Sequence, residues 1–252
     1  MRTIPGIVIA AIVAFLFLSY GVYESLDKAT NQYLGAFMTK VIPPLAAAFA
    51  GAIAAYLFAL NKDRVEEERK QISAGNFAIF KLHHMYTVLS TIKSRYIDPT
   101  RADPDRWFSM NTPAPDFVKE ISFDLDRLGF FLDHPSDQNP GGQVLSDLLF
   151  LGEQFRTVVG LLDERGRVIG EDVIPALRQI TIPTPGTPAA AVRTSFPAYH
   201  GRLVGLTDAL VARVDDLLLE LEKMYPRLQA ALKFLLPKGN FIELKFDKGQ
   251  TP

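Results

Sequence analysis

Four histidines and two closely spaced aspartate pairs are the side chains of this 252-residue chain best suited to holding a metal ion or moving a proton. Their spacing argues against both roles. His83 and His84 are adjacent, so on a helix they point to different faces, whereas a helical zinc pair needs the i,i+4 spacing of His-Glu-x-x-His. His134 precedes a proline at an expected helix end, where an imidazole interacts favourably with the terminal carbonyls, and His200 stands just before an expected helix. Asp103 with Asp105, and Asp124 with Asp126, could each seed a cation site, but the glycine-turned calcium loop is missing. Gly160, Gly166 and Gly170 make no G-x-G-x-x-G, and neither a Walker A motif nor Gly-x-Ser-x-Gly occurs. Cysteine is absent, which excludes disulfides, thiolate metal sites and cysteine nucleophiles. No catalytic, cofactor-binding or metal-binding residue is assigned, no cofactor is expected, and the chain reads as a non-enzyme.

One constellation remains: Arg101, Asp103, Asp105, Arg106 and Trp107, which holds the only tryptophan inside a polar, proline-rich stretch. A tryptophan so placed either meets a partner or the lipid headgroups, or caps the helical core. Trp107 is therefore the candidate for partner contact.

The elements that must position these residues divide by solvent. Before Asn61 the only charged side chains are Arg2, Glu24, Asp27, Lys28 and Lys40; nearly all the others follow it, and the net charge of the chain is −1. A balance so close to neutral gives no electrostatic support for nucleic-acid binding. Thr3–Tyr23 and Val41–Leu60 are uncharged runs of about 20 residues each, which as helices span a hydrocarbon core of roughly 30 Å. They lack the alternation of barrel strands, so helices are expected. The first run is longer than a signal-peptide core and no small-x-small cleavage site follows it, so it is expected to be retained.

Residues 1–60 are thus expected to form a transmembrane helical hairpin. Lys62, Arg64, Arg69 and Lys70 follow the second run and Arg2 flanks the first, against Lys28 and Lys40 in the connector, which places both termini in the cytoplasm. Gly6, Ala10 and Ala14 in one helix, and Ala47, Gly51 and Ala55 in the other, recur every four residues. Such stripes let helix backbones approach, first within the chain and also between copies. No ionisable residue lies inside either run, so an ion-coupled transporter has no starting point.

Residues 61–252 are expected to form a cytoplasmic helical bundle, all-α apart from a short strand suggested by the alternation of Phe241–Phe246, for which Arg167–Ile169 is one partner. Apolar residues from Val65 to Tyr96 recur at helical spacing, ending at Asp98-Pro99. Further helices are expected over Asp116–His134, Gln143–Glu164 (stopped by Arg165-Gly166), Glu171–Ile180, Gly201–Met224 (broken by Tyr225-Pro226) and Arg227–Leu236. Proline-rich loops fall near 99–115 and 181–197, the second too dense in proline for a regular element.

The hairpin Thr3–Tyr23 with Val41–Leu60, the charged exit Lys62–Lys70 and the lack of enzyme motifs resemble, in topology, the two-helix membrane effectors of bacterial antiphage systems, including retron-associated ones. The resemblance implies a multi-pass protein of the bacterial inner membrane that arrests growth by damaging the bilayer, and it carries no site residues. The expected partners are the lipid bilayer and either a protein partner or further copies of the chain. Two other readings fit the same residues: a tether or scaffold that docks a cytoplasmic partner, and a membrane-attached ligand sensor with the 181–197 loop as a lid.

Overall fold

A computed structural model describes residues 35, 40, 42–111, 123–133, 140–180 and 187–244. The first apolar run, its stripe Gly6, Ala10 and Ala14, and His134 lie outside these residues. The described residues are helical, with no strand among them. The chain divides into two compact units, Met1–Glu66 and Glu67–Pro252.

Helix α1, Ile42–Ile92, belongs to both and runs 51 residues without a break. Its opening part is long and apolar enough to cross a membrane, and none of that stretch is buried. Leu45, Phe49, Leu57 and Phe58 stand exposed, Phe58 by 72%. Beyond the charged segment the same helix becomes one-sided: Ala74, Ala78, Ile79, Leu82, Met85, Val88, Leu89 and Ile92 are buried at three- and four-residue steps. A π-turn, Lys93–Ile97, and a 3-10 turn, Asp98–Thr100, end it where proline was expected to stop it.

Among the described residues, five short or medium helices follow before the last long one. The first four are α2 (Arg106–Ser109), α3 (Leu125–Leu128), α4 (Gly141–Arg167) and α5 (Ile174–Arg178), the last reached through a π-turn, Val168–Val173. Then come α6 (Pro188–Ser195) and α7 (Pro197–Leu235). The main core is shared by the buried faces of α1, α4 and α7, with Phe131 and Phe241 inserted between them. Each fully buried leucine of α7, from Leu210 to Leu232, contributes roughly 1.5–3 kcal/mol. A second, smaller core gathers Trp107, Val168, Val173, Ala189, Val192 and Leu203.

Several expected boundaries are overturned, each for a local reason. The helix expected over Asp116–His134 is, in its described part, one α-turn capped by Asp124 and one 3-10 turn, Gly129–Phe131. Arg165-Gly166 does not stop α4: glycine costs a helix about 1 kcal/mol, and burial of Val168 together with the hydrogen bonds of Arg165 to Thr207 and the Trp107 carbonyl offsets it. That leaves no strand at Arg167–Ile169. Pro188 and Pro197 do not break structure but open α6 and α7 at first-turn positions, where a missing N–H costs nothing; the Thr187 hydroxyl caps α6 by accepting from Ala190 N at 3.2 Å. Pro226 lies within α7 on its exposed side, while Tyr225 and Leu228 anchor the inner side.

Phe241–Leu244 forms no strand, because side chains take the place of a neighbouring strand. The Asn76 amide accepts from Ile242 N (2.9 Å) and donates to Asn240 O (3.3 Å), imitating one rung of a ladder. The Tyr225 hydroxyl accepts from Leu244 N, and Gln229 donates to Ile242 O at 3.1 Å. Residues 245 and 246 lie outside the described set.

The Phe241 ring closes over Gly75, where a Cβ would stand 2.7 Å from Leu232 Cδ2 and 3.2 Å from Phe241 Cε1. Gly75→Leu should therefore cost about 1–3 kcal/mol by overpacking and lower the melting temperature of the full chain in mild detergent by several degrees. Gly160→Ala, with open space around the site, should hold or raise it. Equal melting of both variants would contradict the close approach of α1 and α7.

Candidate functional site

The chemistry-bearing residues are dispersed. His84 is exposed and stacks on Phe80, while His83 is half-buried. Among the described residues no three His, Asp or Glu side chains stand close enough to hold a metal ion. Asp124 caps α3, accepting from Arg127 N. Asp103 accepts from Asp105 N (2.8 Å) and from the Ser109 hydroxyl (2.5 Å), and these bonds, Ser109's first, hold its carboxyl below the usual range. Asp105 pairs with Arg193 of α6. Asp103 and Asp124 thus fasten turns, and Asp105 ties its loop to α6.

What the fold does bring together is the segment after α1 and the first half of α7. They border a cleft of ≈ 390 Å³ lined by Arg101, Asp103, Pro104, Arg106, Trp107, His200, Val204 and Asp208, with Ala102 at its edge. One ion pair joins its two sides and a second lies farther along α7. Arg106 Nη2 donates to Asp208 at 2.7 Å, and Arg101 Nη2 donates to both oxygens of Asp215, one heptad further along α7. Lys93 reaches Asp215 at 2.6 Å from the π-turn. Burial alone would raise the Asp215 carboxyl, but the hydrogen bonds from Lys93 and Arg101 outweigh it and hold the group low.

Trp107, singled out from sequence for partner contact, has its ring in the second core, 3% exposed, so the loop around the indole is what faces outward. His200 meets it edge-on, with ring centroids 4.7 Å apart. The indole Nε1–H is buried and meets no acceptor among the described residues. Beneath it lies Arg165, fully buried, donating Nε–H to the Thr207 hydroxyl and Nη2–H to the Trp107 carbonyl, both at 3.1 Å. Burial lowers its pKa to about 10, so it stays a cation at neutral pH. π-turns, which often mark functional sites, occur on both sides of this region, at Lys93–Ile97 and Val168–Val173.

Sequence reasoning marked Arg101, Arg106 and Trp107 but missed Arg165, Thr207, Asp208 and Asp215. The seven-residue spacing of the two α7 aspartates was a signal, but one shared by any solvated helix flank. In the other unit, the second stripe (Ala47, Gly51 and Ala55) lies on the exposed surface of α1, and a Cβ at Gly51 would meet nothing within 4 Å among the described residues.

Comparison of the chain with protein-family models, curated proteins and solved structures gives no match.

The depressed Asp215 carboxyl makes a signed prediction. In the unfolded chain this group takes up its proton first, so its contribution to stability is present above about pH 4 and is lost as pH falls through the lower folded value. Asp215→Asn should lower the melting temperature at pH 7 and flatten its decline below about pH 4. An acid limb as steep as that of the unaltered chain would contradict the role given to the Lys93–Asp215–Arg101 cluster.

Proposed function

We propose that this chain is a membrane-anchored effector that acts by association of membrane helices rather than by covalent chemistry. Residues 1–60 form a two-helix transmembrane hairpin, and residues 61–252 form a helical bundle on the cytoplasmic side of a bacterial inner membrane, with both termini on that side. The bundle receives a signal or a partner. Its response lets hairpins of several copies pack through Gly6, Ala10, Ala14, Ala47, Gly51 and Ala55 and breach the bilayer, as in antiphage growth arrest.

The observation that carries this reading is the uncovered apolar opening of α1. A core helix of a water-soluble protein would have that surface buried, and lipid is the solvent that covers it here. Two features add support. Small residues on the exposed surface fit close helix association in lipid. The charge-dense segment Lys62–Lys70 suits the cytoplasmic headgroup region. The cleft beside Trp107 favours a small-molecule trigger over a constitutive tether.

Expression of the full chain in bacterial cells should collapse the membrane potential, read with a potential-sensitive dye. Gly51→Ile should restore it to the level of cells without the protein, while the variant stays in the membrane fraction after alkaline carbonate washing. A normal potential with the unaltered protein well expressed and membrane-bound would contradict the effector reading and leave the tether.

A further inference from the structure

The cleft between the segment Arg101–Trp107 and α7 has an imbalance of hydrogen-bonding groups. Its acceptors are largely committed. Asp103 already takes the Asp105 N–H and the Ser109 hydroxyl, and Asp208 takes Arg106 Nη2. Its donors are not. Arg106 uses Nη2 on Asp208 and Nη1 only on the Arg101 carbonyl at 3.4 Å, leaving Nε without a partner among the described residues. Arg101 spends Nε and Nη2 on Asp98 and Asp215, leaving Nη1. The Trp107 indole N–H, in a side chain 97% buried, meets no acceptor among the described residues, and a buried donor left unbonded costs about 1–3 kcal/mol. His200 adds a further ring nitrogen against the same indole.

From this surplus of donors we infer that the cleft is a binding site for a phosphate-bearing ligand. A tetrahedral oxyanion offers many acceptors in a small volume, and guanidinium groups match its geometry with charge-assisted bonds. Asp208 is the internal stand-in. Its side chain is 54% exposed, so it can turn to water when an incoming oxyanion takes its place on Arg106. With Asp208 turned away, Arg106 is left without a carboxylate partner, Arg101 stays paired with Asp98 and Asp215 but still offers Nη1, and the oxygens of Asp103 remain occupied by Asp105 N–H and Ser109. The inference supplies a trigger for the effector proposed above, but binding itself does not depend on that reading.

Trp107 is the only tryptophan, so fluorescence excited at the red edge, where the tyrosines do not absorb, reports this cleft. The full chain in neutral detergent is titrated with inorganic phosphate and pyrophosphate, with sodium chloride at matched ionic strength, and separately with vesicles containing phosphatidic acid. A saturable change in emission with an added phosphate, absent with chloride, is expected. Arg106→Gln should raise the half-saturation concentration about tenfold or more, and Arg156→Gln, altering an exposed arginine of α4 away from the cleft, should leave it unchanged. Asp208→Asn should lower it, because the stand-in is weakened; a purely structural role for the ion pair would not produce that gain. A response to the vesicles but not to soluble anions would place the phosphate on a lipid headgroup and keep the site. Absence of a saturable response in every arm, or saturation that survives Arg106→Gln unchanged, would overturn the inference. Fluorescence needs no living cell, so its failure would leave the membrane-potential result standing, and the reverse holds equally.

Discussion

An apolar helical surface about 28 Å long cannot stay in contact with water. The exposed leucines and phenylalanines between Leu45 and Leu60 set that constraint, and the rest of the chain follows from how it is met. Covering those side chains with protein would need a second layer of structure around the start of α1. Covering them with lipid needs only the helix itself, whose backbone hydrogen bonds are already satisfied along its axis. The change of surface character is written into a single element. Up to Leu60 the helix is apolar all round, Asn61–Lys70 is charged, and from Ala74 onward one face is apolar and buried while the other is open.

Much of this was legible in the residues because hydrophobic period is a strong signal over long stretches. The three- and four-residue steps of Met85, Val88, Leu89 and Ile92, and of Leu210, Val214, Leu217 and Leu221, fall on buried faces as expected, whereas Val65, Phe77 and Phe80, read into the same helical period, stand exposed because the buried stripe runs through Ala74, Ala78 and Leu82 instead. Punctuation is less legible, since proline and glycine act by position and not by presence. Thr187-Pro188-Ala-Ala-Ala is an N-cap, a first-turn proline and strong helix formers, a start signal hidden by counting prolines as breakers. Pro226 and Gly166 are tolerated inside helices because buried neighbours on both sides stabilise the turn by more than the local defect costs. The Phe241–Leu244 segment has a strand's alternation, but its ladder partners are the side chains of Asn76, Tyr225 and Gln229, which no one-dimensional pattern announces.

The cleft shows the same division. Arg101, Arg106 and Trp107 drew notice as an unusual cluster within one loop. Their α7 counterparts lie about a hundred residues away, and only the fold makes Asp208 and Asp215 their neighbours. Arg165 is the clearest case. Beside a glycine it reads as a helix terminus, yet it is fully buried and ties α4 to α7 through Thr207 and to α2 through the Trp107 carbonyl. A cation held there restricts how the segment bearing Trp107 can sit, because moving that segment would strip the guanidinium of a hydrogen bond in a low-dielectric site. The position of the cleft is thereby tied to the junction of three helices.

Because the chain contains no cysteine, single cysteines can be placed along α1 without background. Labelling each with a membrane-impermeant maleimide, in native membranes opened to expose the cytoplasmic face, tests the change of solvent along the helix directly. The account predicts no labelling from Leu45 to Phe58 and strong labelling from Lys62 to Lys70. Farther along, it predicts a helical alternation in which Phe77, Phe80 and His84 react and Ala78, Leu82 and Met85 do not. Uniform labelling from Leu45 to Phe58 would show that water, not hydrocarbon, surrounds the start of the helix, and the membrane account would fall.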